Sequence, residues 1–141
     1  MKTLRAIVAA LALLLITAAA SQAQQLKVTA NIPFDFVVGD HVYPAGQYQI
    51  SPVFHDDIVL QISNPNQTVS AAVLSDNCMR ATASRNTELV FRRSGDSYFL
   101  YQVWTQGNQY GREFSGSHAE KVLAKNHPHV QTVIVAANLS R

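Results

Sequence analysis

The chain has 141 residues, is 48% hydrophobic and 14% charged, and carries 11 Lys plus Arg against 9 Asp plus Glu. The two surplus cations, Lys2 and Arg5, lie in the N-terminal segment, so the rest is electrically balanced. The pI of about 8.9 therefore gives no reason to expect a nucleic-acid partner, and a single cysteine excludes an intramolecular disulfide.

Residues 1–23 read as a cleavable signal peptide. Lys2 and Arg5 form a positive n-region, Ala6 to Ala20 is apolar or small apart from Thr17, and Ser21-Gln22-Ala23 places small residues at the −3 and −1 positions of a processing site. Cleavage is expected after Ala23. The apolar run is shorter than the roughly 20 residues of a spanning helix, so no stable membrane span is expected once the signal is removed. Cys78 lies too far from the signal to be a lipid-bearing first residue. Residues 24–141 then form a single domain with a periplasmic or secreted address, of a size that can bury a core without covalent staples.

Strand signals dominate this domain. Leu26, Val28, Ala30, Ile32, Phe34 and Phe36 alternate with mostly polar neighbours, the period of a half-buried strand. Pro33 cannot donate to a ladder, so this strand is expected to lie at an edge or to break there. Such an edge would suit an envelope protein as partner. Gly39-Asp40 and Pro44-Ala45-Gly46 read as turns, and His55-Asp56-Asp57 as a turn before the next strand. Ile58, Leu60 and Ile62 face Val69, Ala71 and Val73 across Asn64-Pro65-Asn66-Gln67, the pattern of a β-hairpin. Ser75 to Asn86 is polar and aperiodic and is expected to be a long loop.

Leu89 and Phe91 restart the alternation, Ser94-Gly95-Asp96 turns the chain, and Tyr98 to Trp104 is the most aromatic segment. After Gly107 and Gly111, Ser117-His118-Ala119-Glu120 fits a capping box and predicts a helix over 118–125, with Val122 as its main apolar contact. Val130 to Ala136, mostly β-branched, is expected to be the last strand. The sum is a mainly β domain, a small β-barrel or β-sandwich of about seven to eight strands with one short helix before the last strand.

No catalytic set is identified: a Gly-x-Ser-x-Gly elbow and a phosphate-binding loop are both missing from the sequence. Tyr98, Tyr101, Trp104 and Tyr110 are the candidate ligand-binding residues, because aromatic faces bury large area while Tyr and Trp keep a polar handle; composition favours the same rings as the core of a small β domain. His127 and His129 are the candidate metal ligands, since residues two apart on an extended segment share a face, but two imidazoles need further donors. Cys78 is a buried small hydrophobe, an intermolecular bridge or a reactive thiol, burial being the commonest fate of a free cysteine. No cofactor is expected. The reading is a non-enzymatic extracytoplasmic binding or structural module, its partner a small ligand or an envelope protein, with a metal-binding protein or metal-dependent hydrolase built on His127 and His129 as the alternative.

The blocks Ile32-Pro33-Phe34-Asp35-Phe36-Val37-Val38-Gly39, Pro44-Ala45-Gly46-Gln47-Tyr48, Leu89-Val90-Phe91, Gly95-Asp96-Ser97-Tyr98-Phe99-Leu100 through Val103-Trp104, and Gly111-Arg112-Glu113 resemble, in this order, a group of small exported bacterial proteins common in acidobacteria. The resemblance implies a bacterial host and an extracytoplasmic address, and carries no activity or site residues. A bacterial host would make the sequons at Asn66 and Asn138 incidental.

Overall fold

The computed structural model describes residues 26–66, 69–127 and 129–140. The expected signal peptide and its cleavage site lie outside the described residues, as do Gln67 of the hairpin turn and Pro128 between the two candidate histidines.

Among the described residues, ten strands and one helix follow in chain order: β1 (Val28–Ile32), β2 (Phe36–Val38), β3 (His41–Tyr43), β4 (Gly46–Pro52), β5 (Val59–Ser63), β6 (Ser70–Met79), β7 (Glu88–Ser94), β8 (Ser97–Trp104), β9 (Tyr110–Phe114), α1 (His118–Asn126) and β10 (Gln131–Leu139). The hydrogen-bonded order is β3-β2-β8-β7-β10-β1-β4-β5-β6-β9, and β9 pairs again with β8 through Gln102↔Glu113 and Val103↔Arg112. This last pairing closes an eight-stranded antiparallel barrel. Since β7 occupies one edge of β8, β9 shares the other edge with β2, which pairs in parallel at Val37↔Phe99. The β2–β3 hairpin thus covers the part of β8 that β9 leaves open.

The first alternating run breaks at Pro33, with β1 ending at Ile32 and β2 starting at Phe36. β1 is not an edge: it pairs with β10 on one side and β4 on the other. An envelope partner therefore has no free ladder there to join. The β5–β6 hairpin forms in the expected register, Ile62 opposite Ala71 and Leu60 opposite Val73. The expected loop from Ser75 is shorter, because β6 continues to Met79 and pairs with β9 over Ser75–Met79.

Ser117 caps α1 as anticipated, its side chain accepting from the Glu120 N–H at 3.1 Å. No residue of α1 is fully buried; Leu123 and Glu120 are half-buried, whereas Val122 is 45% exposed. The helix packs lightly on β7 through Arg92, which lies 3.5 Å from the Glu120 carboxylate. Among the described residues, no helix is long and apolar enough to cross a membrane.

Alternation sends one residue in two into the barrel. Val28, Ala30, Ile32, Tyr48, Ile50, Leu60, Ile62, Leu89, Phe91, Leu100, Val103, Phe114 and Val135 form one buried cluster. The rings gather where β8 begins: Phe36 meets Tyr43, Tyr48 and Phe91 at centroid separations of 5.2, 5.0 and 5.6 Å. The Tyr48 hydroxyl donates to the Pro44 carbonyl at 2.7 Å, but the buried Tyr43 hydroxyl has no partner among the described residues. An unpaired buried hydroxyl costs about 1–3 kcal/mol. Tyr43→Phe is therefore expected to raise the unfolding free energy by about 1 kcal/mol in urea titration, and a loss of stability would show that the hydroxyl is satisfied.

Candidate functional site

The rings fill one end of the barrel, and the other end is open. A cavity of about 960 Å³ lies where β8 finishes, lined by Leu26 and Lys27 ahead of β1, by residues of β4, β6, β8, β9 and β10 and by the β4–β5 and β8–β9 loops. Leu26, Pro52, Val103, Tyr110 and Leu139 supply apolar wall; Lys27, Asp56, Asp57 and Arg112 are its four charged residues.

Arg112 is the buried charge of this set, 8% exposed. In β9, Phe114 points into the core, so period two sends Arg112 inward as well. Across the ladder it meets Ser75 and Asn77 of β6. Its Nε donates to Ser75 Oγ at 3.0 Å, its Nη2 to the Ser75 carbonyl at 2.8 Å and to Ser75 Oγ at 2.9 Å, and its Nη1 to Asn77 Oδ1. Every one of these acceptors is neutral. The ion pairs among the described residues are Arg80–Glu88, Arg92–Glu120 and Arg93–Asp96, none of which includes Arg112.

Ser75 ties this arginine to the cavity wall. Its hydroxyl lies 3.1 Å from the Asp57 carbonyl and 3.0 Å from that of Ile58, and its N–H donates to the Ile58 carbonyl at 2.8 Å. Asp57 holds φ at 56°, a left-handed conformation that few non-glycine residues adopt. The Asp56 carboxylate accepts from the Ile58 N–H at 3.3 Å, the local bond expected of an aspartate in a turn.

The four candidate aromatic residues do not converge. Tyr98 is at the closed end, stacked on Phe34 at 3.9 Å. The ladder pairs Leu89 with Val103 but Val90 with Gln102 and Phe91 with Leu100, so Tyr101 has no partner of its own; the register shifts between Val90 and Phe91. It lies beneath the Arg92 guanidinium, 3.3 Å from the ring centroid. Trp104 faces outward, 1% exposed beneath Arg80, whose guanidinium is 3.9 Å from its ring. Its Nε1 donates to Gln102 Oε1 at 3.1 Å, and Gln102 in turn donates to Glu113 at 2.8 Å. Of the four, Tyr110 alone lines the open cavity, 59% exposed at its mouth.

His127 and His129 border a shallow depression with Arg93, Gly95 and Gln131. Among the described residues, no group of three or more His, Cys, Asp or Glu side chains is placed to hold a metal ion. His55 and Asp57 share the β4–β5 loop, in the turn expected of them. The sequence marks Arg112 only by its period-two spacing to Phe114, which puts the two on one face; that this face is the inward one is seen in the fold.

Cys78 is half-buried on the outer face of β6, opposite Gly111. Desolvation by burial, and then the Glu113 carboxylate, push its thiol above the ordinary range. Burial likewise raises Tyr43, Tyr48 and Tyr101, the latter two also through neighbouring carboxylates. Each raised group makes the folded chain hold its proton longer than the unfolded chain. Stability from these groups is thus full below the unfolded values and is lost as pH rises through the folded ones. Urea midpoints are expected to fall as pH rises from about 8.5, the ordinary value of a thiol, through and beyond about 10, that of a phenol, and Cys78 to react with a thiol reagent more slowly at neutral pH than after unfolding. A midpoint constant through that window would contradict these environments.

No known protein family, curated protein or solved structure matches this chain.

Proposed function

We propose that this chain is a non-enzymatic extracytoplasmic binding module whose ligand site is the open end of the barrel. The cavity carries this reading: about 960 Å³ places it within the range of small-molecule sites, and the apolar side chains of Leu26, Pro52, Val103, Tyr110 and Leu139 stand in a predominantly polar lining. A closed barrel is a rigid frame for such a site, because each cavity-lining strand is hydrogen-bonded to neighbours on both sides. The expected export signal and the resemblance to exported bacterial proteins support the address.

The test is a fragment screen of neutral and charged compounds followed by backbone NMR. Binders are expected to shift amides of Asn77, Gly107, Tyr110 and Arg112 together. Binders that leave this end unperturbed, or robust substrate turnover by the purified protein, would overturn the reading.

A further inference from the structure

We propose that the open end takes a small organic carboxylate, its anionic group set against the side chain of Arg112. This rests on the reading of the open end as a ligand site and adds the chemical class of the ligand.

A guanidinium stays protonated in proteins, so Arg112 brings a full charge to a place that is 8% exposed. Its contacts are the Ser75 carbonyl and hydroxyl and the Asn77 side-chain carbonyl, which satisfy hydrogen bonds without neutralising charge. Asp56 and Asp57 line the same cavity, yet neither pairs with it. A guanidinium has five N–H donors. Nε and both hydrogens of Nη2 are directed to Ser75 and one hydrogen of Nη1 to Asn77, leaving one Nη1 hydrogen for an incoming oxygen.

The other charges select among anions. Lys27 and Arg112 balance Asp56 and Asp57, so the lining by itself is neutral. A carboxylate adds one negative charge beside the buried cation, whereas a phosphate dianion adds two and meets the aspartates. Leu26, Val103 and Tyr110 provide wall for an organic body, which the anion of a mineral acid would leave unfilled.

Benzoate and its neutral isostere benzamide separate charge from shape, and inorganic phosphate tests the anion class. Each is titrated into the purified protein while NMR follows the Arg112 side-chain Nε–H and the Tyr110 amide. Benzoate is expected to bind with a Kd of about 1 mM, a value ordinary for a fragment, and benzamide and phosphate at least about 10-fold more weakly. Arg112→Gln should bring benzoate to the level of benzamide, and Arg112→Lys should keep part of the preference. Benzamide binding as well as benzoate would overturn the carboxylate assignment while leaving the open end as a ligand site. So would phosphate binding better than benzoate, or benzoate failing to shift either signal at about 10 mM. The comparison of probes needs no variant, so it stands even if Arg112→Gln fails to fold.

Discussion

Ser75→Ala is expected to destabilise the barrel by about 3 kcal/mol, whereas Arg112→Met costs less than about 1.5 kcal/mol. The asymmetry follows from which partner is removed. Taking away the Ser75 hydroxyl withdraws two of the bonds that hold a buried guanidinium and removes the hydroxyl donor from the carbonyls of Asp57 and Ile58, of which Ile58 keeps the Ser75 N–H. The charge stays behind with fewer acceptors, the costly direction for any buried ion. Replacing Arg112 with an unbranched apolar chain removes the charge along with its demand; the Ser75 hydroxyl keeps its hydrogen bond to the Asp57 or Ile58 carbonyl, and Asn77 borders the cavity, where solvent can serve its acceptor. Trp104 is the sole tryptophan and is buried, so its fluorescence reports urea unfolding directly. In Ser75→Ala/Arg112→Met the two losses should add to less than their sum, because the second change removes what the first left unsatisfied. A larger loss for Arg112→Met than for Ser75→Ala would mean that the arginine is retained for stability, and would weaken the case for a ligand that uses its charge.

Gly111→Ala is expected to lower stability by about 3 kcal/mol, which moves the midpoint of thermal unfolding down by about 12 °C. A Cβ at this position would sit 2.7 Å from Trp104 Cε3, 2.9 Å from Trp104 Cδ2 and 2.8 Å from the Val103 carbonyl oxygen. The Val103 oxygen is backbone in the neighbouring strand, and the indole is held by the Arg80 guanidinium above it and its own bond to Gln102. Neither can yield without disturbing the β8–β9 pairing that closes the barrel. Trp104→Phe should relieve part of the strain, so Gly111→Ala costs less in that background than in the native one. Additive losses in the double variant would show that the ring is not what the methyl meets.

Both predictions concern the seam where β9 meets β6 and β8, and the seam is also where sequence reading was weakest. The β5–β6 hairpin was legible because Leu60, Ile62, Ala71 and Val73 keep an apolar period of two across a turn-rich tetrapeptide. The helix was legible because Ser117 and Glu120 stand three apart, and the capping bond forms. The second half of β6 was not. Its inward positions are Ser75 and Asn77, polar because they hold Arg112, so the alternation that marks a strand vanishes and the segment reads as loop. The same substitution of polar for apolar on an inward face is what builds the floor of the open end.

Local pattern was sufficient, then, for a mainly β chain, for most of its turns and for one short capped helix before the last strand, since period and caps depend on residues a few positions apart. Closure needed the tertiary structure. Period two shows which side chains share a face, but not which strands lie side by side. Ser75 and Arg112 are 37 residues apart in sequence and meet because β6 and β9 pair. The aromatic run from Tyr98 to Trp104 shows the same limit: the strand places its rings at both ends and on both faces of the barrel, where one stacks on Phe34, two lie under arginines, and the cavity is left to Tyr110 and a buried arginine.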